Sequence, residues 1–227
     1  MNALLKFVGV AALAVGLTAA PAIAQTKLTV PGGSTTGTYM DYMKTVYARA
    51  SGAELLQEPL TSFDNEYQLT PLAATSWEQS EDGLTYTFRL RQGVTFHNGK
   101  PMTSADVAAS FNRYNRIGIQ RSTLDNVAGW DTPDPRTFVI RMKQVQPTFI
   151  EALSSFSVPI VVIPSEHEND ERQQLRTVGT GPFRLLEFVP GSHARLGRFD
   201  AYKPNTAFED RTGFGGYRVA CVDTVTF

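Results

Sequence analysis

Residues 81–100 read EDGLTYTFRLRQGVTFHNGK, and they carry the strongest local structural signal in the sequence. Large apolar side chains alternate with polar ones along it; the apolar set is Leu84, Tyr86, Phe88 and Leu90, and the polar set is Thr85, Thr87 and Arg89. A period of two is typical of a β-strand with one buried face, so the apolar set is expected to point into a core. The Asn98-Gly99 pair that follows predicts a hairpin with a type I′ turn, in which both residues adopt positive φ.

Patterns on both sides of this strand predict a mixture of helices and strands. Thr103 and Asp106 have the spacing of a capping box, and they are expected to start a helix that extends to about Arg116. The uninterrupted apolar run VPIVVI at 158–163 predicts a strand covered on both faces. The other expected elements are strands at 27–30, 137–142, 183–189, 194–199 and 223–227, helices at 38–56 and 147–156, and turns at 32–37, 81–83 and 131–136. The fold class is therefore mixed α/β.

The N-terminus has the order of a secretory signal peptide. Residues 1–6 carry one positive charge, residues 7–17 are apolar, and Ala22-Ile23-Ala24 is a small-x-small cleavage pattern. The apolar run is too short to span a bilayer comfortably, and no second run of that kind follows, so stable membrane insertion is not expected. Cys221 is the only cysteine, which excludes an internal disulfide and a lipid anchor at the cleavage site. These features predict a periplasmic protein.

Charge and motif content argue against several function classes. A net charge of −1 does not favour binding to the negatively charged backbone of nucleic acid. His97, His167 and His193 are widely separated, so no metal site is expected, and His97 is interpreted as a turn or surface residue. The glycine-rich residues 32–37 lack the spacing of a phosphate-binding or dinucleotide-binding loop, and no G-x-S-x-G motif occurs. The acidic run at 166–171 is interpreted as a solvated face. We therefore expect no enzyme and no cofactor.

Two stretches carry a resemblance to a known family. The first, which we call the signature segment (residues 72–107), contains LAATSWE at 72–78, EDGLTYTFRLR at 81–91, GVTFHNGKP at 93–101 and SADV at 104–107. The second is GTGPFRL at 179–185, and DAY at 200–202 is similar to a later family segment, with Lys203 where tryptophan is usual. Together they resemble the family 5 solute-binding proteins that serve dipeptide, oligopeptide, glutathione and nickel ABC importers.

The resemblance implies a fold and a domain division. It implies a first lobe like that of a type II periplasmic binding protein, with an inserted subdomain. Residues 25–50 and 164–227 are expected to form part of this lobe, and residues 51–163 the insertion. Family members are over twice as long, so the second lobe is expected to be absent from this chain, and we expect a truncated protein, a split gene product or an excerpt.

The resemblance also implies a function. The chain is expected to be the substrate-binding component of a peptide-type ABC importer, a monomer that captures peptides or similar small solutes for an inner-membrane permease. One wall of the ligand site is expected to include Gly32, Gly33, Ser34, Ser155, Phe156 and Ser157. Two alternatives stay open: a nickel or metal-chelate binding member of the same family, and an exported enzyme on the same scaffold.

The leader generates a first prediction. Export is expected to remove residues 1–24, because the cleavage pattern ends at Ala24. N-terminal sequencing of periplasmic material should therefore begin at Gln25. Periplasmic protein that begins at Met1, or protein found only in the cytoplasm, would contradict the prediction.

Overall fold

The structure is a computed structural model of the chain. It describes residues 27–29, 55–64, 66–155, 158, 160–171, 177–189, 192–208 and 216–227. The predicted signal peptide, the glycine-rich turn at 32–37 and residues 38–54 of the predicted helix lie outside the described residues. No helix within the described ranges is long and apolar enough to cross a membrane.

The described elements include both strands and helices, which agrees with the mixed α/β prediction. They are β1 (Lys27–Thr29), β2 (Thr61–Phe63), β3 (Leu69–Pro71), β4 (Ala74–Gln79), β5 (Thr85–Leu90), α1 (Ser104–Ile117), β6 (Val127–Asp134), β7 (Thr137–Met142), α2 (Phe149–Ser154), β8 (Phe183–Val189), β9 (His193–Arg198) and β10 (Thr224–Thr226). Two 3₁₀-helical turns, Arg121–Leu124 and Ser165–His167, complete them.

The signature segment builds the larger core. Strands β4, β5, β7 and β6 form an antiparallel sheet in the order β4-β5-β7-β6, which we call the signature sheet. Tyr86, Phe88 and Leu90 are buried and Leu84 packs against the same cluster, whereas Arg89 is exposed. The predicted alternation is confirmed. Phe88 lies opposite Phe138 on β7, and α1 covers this face through Phe111, whose ring centroid is 4.9 Å from that of Phe138.

The predicted hairpin turn after the strand exists, but its type differs from the prediction. Gly99 donates its N–H to the Phe96 carbonyl at 2.8 Å, and Phe96 donates to the Lys100 carbonyl at 2.8 Å. Gly99 has φ +85°, whereas Asn98 is not among the positive-φ residues. The turn is therefore a three-residue loop of type I with a glycine bulge, not type I′. In this loop only the third residue, Gly99, has positive φ, whereas a type I′ turn requires positive φ at both central residues.

Helix α1 begins as predicted. The Asp106 carboxylate accepts the Thr103 backbone N–H at 2.9 Å, which closes the capping box. Lys100 reaches the same carboxylate at 2.7 Å, so the hairpin and the helix N-terminus are tied together. Val107 and Phe111 are buried on the inner face of the helix, as the spacing predicts.

Four described strands form a second sheet, which we call the terminal sheet. Its order is β1-β10-β9-β8, with β1 and β10 parallel and the other pairs antiparallel. The strand and hairpin predictions at 27–30, 183–199 and 223–227 are confirmed within these bounds. Its buried face carries Phe183, Leu196 and Val225, which pack with Leu56. Strands from both ends of the chain thus share one sheet.

The strand predicted at 158–163 is wrong. The described residues there form only an isolated bridge between Val161 and Pro59. Burial was predicted correctly, since the side chains of Val158, Ile160, Val162 and Ile163 are all buried. Their backbone donors find irregular partners: Val162 donates to the Glu58 carbonyl at 2.9 Å and Ile163 to the Ser110 hydroxyl at 2.9 Å. A continuous apolar run therefore predicts that a segment is buried, but it does not predict that the segment is a strand.

Two further boundaries and one surface interpretation differ from the predictions. Helix α2 ends at Ser154 and not at about Phe156. Strand β6 extends through Asp134, so the turn predicted at 131–136 is confined to residues 135–136. The acidic run at 166–171 is not simply a solvated face, because Arg113 and Arg116 of α1 donate to its backbone carbonyls and side chains.

The core generates a second prediction. Phe88→Ala should lower the free energy of unfolding by about 3–5 kcal/mol, because Phe88 is fully buried and its removal leaves a cavity. Arg89→Ala, one residue along the same strand, should cost about 1 kcal/mol or less, since it removes one partly buried hydrogen bond to Thr137. Denaturant unfolding measures both. Equal losses of stability in the two variants would contradict the assignment of Phe88 to the buried face of the strand and of Arg89 to the exposed face.

Candidate functional site

The structure describes one of the six predicted ligand-site residues. Gly32, Gly33, Ser34, Phe156 and Ser157 lie outside the described residues. Ser155 follows α2 directly in an extended conformation, and its carbonyl accepts the Val158 N–H at 2.8 Å. The ligand-site prediction therefore stays a prediction.

A hydroxyl pair fixes the position of Ser155 in the fold. The Ser154 and Thr61 hydroxyls are 2.7 Å apart in the interior, and Ser154 also donates to the Ile150 carbonyl at 2.8 Å. This contact joins the end of α2 to β2. Ser155 is therefore held at a defined place beside β2, half-buried at the edge of the larger core.

The main polar centre of the described residues is a buried carboxylate, Glu58. Its Oε2 accepts from Arg91 Nη2 at 2.6 Å and from the Thr180 hydroxyl at 3.1 Å, and its Oε1 accepts from the Tyr202 hydroxyl at 2.7 Å. Arg218 Nη1 lies 3.9 Å from Oε1. We call these five residues the Glu58 cluster.

Burial strengthens the interactions among the charged and polar groups of the Glu58 cluster. The Glu58 side chain is fully buried and that of Arg91 is 5% exposed. Burial by itself would lower the pKa of Arg91, but the adjoining Glu58 carboxylate outweighs it and the pKa is raised. Burial, and then the Glu58 charge, raise the pKa of Tyr202 well above its ordinary value. Arg91 therefore stays charged and Tyr202 stays neutral across the ordinary pH range, and the phenol acts as a donor to Glu58.

The cluster brings together segments that are distant in the sequence. Glu58 precedes β2, Arg91 follows β5, and Thr180 lies just before β8. Tyr202 follows β9 and Arg218 precedes β10. Because β5 belongs to the signature sheet and β8, β9 and β10 to the terminal sheet, the carboxylate is a junction between the two sheets. Arg91 strengthens the junction by donating to the Lys203 carbonyl at 3.0 Å.

The glycine-rich loop at 177–182 passes close to the backbone of residues 55–57. An added Cβ at Gly179 would clash with the Leu56 carbonyl oxygen, and one at Gly181 with the Leu55 carbonyl oxygen. Gly181 donates its N–H to the Leu56 carbonyl at 3.1 Å, and Gln57 donates to the Val178 carbonyl at 3.1 Å. The two glycines are therefore explained by close backbone approach.

His97 holds the other side of this loop. Its Nδ1 accepts the Gly179 N–H at 3.2 Å, its Nε2 lies 3.0 Å from the Gly181 carbonyl oxygen, and its backbone N–H donates to the Gly179 carbonyl at 2.9 Å. The ring also packs edge-on against Phe199. The interpretation of His97 as a surface or turn residue was incomplete, because this turn residue is half-buried and its ring also hydrogen-bonds to the loop.

Other candidate sites are weak among the described residues. No group of three or more His, Cys, Asp or Glu side chains within them could hold a metal ion. A shallow open groove lies on the terminal sheet, lined in part by Arg184, Leu186 and Gly197. At its end Arg198 is paired with both Asp200 and Asp223. The groove is therefore an uncovered surface and not an enclosed pocket.

The family follows from the sequence match and the fold together. Residues 68–227 match the profile of the bacterial extracellular solute-binding proteins, family 5 Middle. The chain therefore belongs to the family 5 solute-binding proteins.

Individual relatives agree with this assignment. A probable peptide ABC transporter periplasmic-binding protein of Sinorhizobium fredii is 29% identical over 176 residues, which are 76% of this chain and 33% of that protein. A glutathione-binding protein of Salmonella typhi is 28% identical over 200 residues, 87% of this chain and 39% of that protein. The chain thus spans about a third to two fifths of the length of these relatives.

A solved structure shows the same fold. The binding protein AgaA of A. tumefaciens R10, solved with agropinic acid, superposes with a TM-score of 0.68 at 23% identity, over 89% of this chain and 39% of that one. The predicted likeness to type II periplasmic binding proteins is confirmed by this similarity. At that level of identity it shows the fold alone.

The cluster generates a third prediction. Arg91→Ala should lower the free energy of unfolding by about 3–5 kcal/mol, because it leaves the Glu58 charge buried beside a lost partner. Arg141→Ala is the matched control: Arg141 is also 2.6 Å from its partner Asp131, but both side chains are more than half exposed. It should cost about 1 kcal/mol or less. Denaturant unfolding measures both losses. Equal losses of stability in Arg91→Ala and Arg141→Ala would show that burial of the Glu58–Arg91 pair has no energetic consequence.

Proposed function

We propose that this chain is part of the substrate-binding component of a peptide-type ABC importer. It captures peptides or similar small solutes in the periplasm and delivers them to an inner-membrane permease. The observation that carries the proposal is the match of residues 68–227 to the family 5 profile. The relatives whose names mention a peptide ABC transporter and glutathione support a peptide-like solute.

Export and lobe organisation are part of the same proposal. The leader at 1–24 directs the chain to the periplasm, where the protein acts as a monomer. Residues 25–50 and 164–227 contribute to the first lobe, and residues 51–163 form its inserted subdomain. This division is supported by the terminal sheet, which joins β1 to β8, β9 and β10, and by the signature sheet, whose strands all fall between residues 74 and 142.

The ligand wall is proposed at Gly32–Ser34 and Ser155–Ser157. Strands β1 and β10 are parallel, so their carboxyl ends, at Thr29 and Thr226, meet at one edge of the terminal sheet. In open α/β sheets, ligands bind outside the carboxyl ends of the strands. Gly32 follows the end of β1 by three residues, and glycine allows a ligand backbone to approach closely. The backbone N–H groups and serine hydroxyls of such a wall suit the polar backbone of a peptide.

A ligand-stabilisation screen tests the substrate class and gives the fourth prediction. A ligand that binds only the native state raises the melting temperature. Mixed di- to pentapeptides should raise it in a saturable manner, whereas a nickel–histidine chelate should not. Stabilisation by the chelate alone, or by neither, would contradict the proposal.

A glycine pair provides the site control. Gly33→Val should fill the proposed wall and weaken peptide affinity at least about tenfold, which is 1.4 kcal/mol. Gly129→Val introduces the same side chain on β6, where an added Cβ meets no atom within 4 Å, and it should leave affinity unchanged. Equal affinities of the two variants in calorimetric titration would place the ligand elsewhere.

A further inference from the structure

The contacts of His97 specify its protonation state. A backbone N–H can only donate, so Nδ1, which receives the Gly179 N–H, must carry a lone pair. A backbone carbonyl can only accept, so Nε2, which faces the Gly181 oxygen at 3.0 Å, must carry the proton. Both requirements are met by one species, the neutral imidazole protonated on Nε2. The imidazolium has a proton on each nitrogen and would oppose its Nδ1–H to the Gly179 N–H.

We propose that His97 is a proton-sensitive latch: the neutral ring fastens the hairpin at 94–101 to the loop at 177–182, and protonation releases that loop. The hairpin continues from the signature sheet, and the loop leads into β8 of the terminal sheet. The latch is therefore a second, titratable link between the two sheets, in addition to the Glu58 cluster. It concerns the chain itself and does not depend on the identity of the solute.

The surroundings of the ring favour the neutral form. Burial is the largest influence and lowers the pKa of His97 below its ordinary value. The carbonyls of Gly181 and Thr177 and the carboxylate of Glu58 favour the protonated form, whereas the Arg184 guanidinium on β8 opposes it. Among the residues that the structure describes, Glu58 and Arg184 are the charged groups that influence the ring. The balance is a lowered pKa, so the latch is closed at neutral pH.

The direction of the pH effect follows from this shift. The unfolded chain binds a proton at His97 near pH 6.5, and the folded chain binds it only at lower pH. The latch therefore contributes its full stability above pH 6.5. That contribution is lost as the pH falls from there through the folded-state pKa, because the unfolded state then binds more protons.

The loop has little freedom to compensate for an open latch. On its other side Gly179 and Gly181 lie against the backbone of residues 55–57, and Thr180 donates to Glu58. When the ring of His97 no longer binds the loop, those contacts remain. The Gly179 N–H and the Gly181 carbonyl, which the ring had paired, then lack their partners on the hairpin side. Release should therefore loosen the contact between hairpin and loop without unfolding either sheet.

The experiment compares two histidine variants of the full chain. His97→Gln should lower the melting temperature at about pH 7.5 by about 4–8 °C, because two backbone partners are lost. It should also remove most of the further fall in melting temperature between about pH 7.5 and pH 5. His193→Gln is the matched control: His193 is a third exposed and lies 3.4 Å from Glu187. It should keep the acid-induced fall. A His97→Gln protein with the same acid-induced fall as the unmodified chain would overturn the proposal.

A spectroscopic measurement keeps the test decisive if His97→Gln does not fold. Ring ¹⁵N resonances of the unmodified protein distinguish the two neutral forms and the imidazolium. At neutral pH His97 should be the Nε2-protonated neutral form, and on acidification the Gly179 and Gly181 amide resonances should shift together with the ring. Protonation of Nδ1 at neutral pH, or a ring titration that leaves both amides unmoved, would contradict the latch.

Discussion

Glu58 and Arg91 meet in the interior at 2.6 Å, and the relation between the two sheets depends on this pair. A buried charge is tolerated only where it is paired and hydrogen-bonded, and each Glu58 oxygen has at least one donor. The donors come from segments next to β5, β8 and β9, so satisfying one carboxylate requires all of these segments to assemble. The Coulomb attraction is offset by desolvation. The pair therefore specifies an arrangement, and the hydrophobic clusters supply most of the stability.

Local patterns predicted the elements that have a strong periodic signal. Strand β5, helix α1 and the β8–β9 hairpin could be predicted because alternation, capping and turn residues are properties of neighbouring residues. Strand β4 gave no such signal, since most of its side chains are exposed and it lies at the edge of the signature sheet. The apolar run at 158–163 gave a strong signal, but that signal predicted only part of its structure. Its burial could be predicted, but its backbone partners, Glu58 and Ser110, are distant in the sequence.

The polar sites were harder to predict for the same reason. Glu58 and Tyr202 are separated by 144 positions, and nothing in either local sequence indicates that they meet. His97 was identified as a turn residue, and the turn exists, but its ring contacts depend on a loop more than 80 positions away. The resemblance to family 5 solute-binding proteins supplied what periodicity could not, namely the class of fold. It did not supply these contacts, since many of its motif residues turn strands and start helices.

The central claim is that the Glu58 cluster makes the two sheets one cooperative unit, and native-state hydrogen exchange of Glu58→Gln tests it most directly. Glu187→Gln is the control, because Glu187 is a half-exposed acid on β8 that pairs with Arg195 at 3.0 Å. Glu58→Gln should lower the protection free energies of amides in β5 and β9 equally, by at least about 2 kcal/mol. Glu187→Gln should leave both nearly unchanged. Loss of protection confined to residues 55–60, or to one sheet alone, would contradict the account.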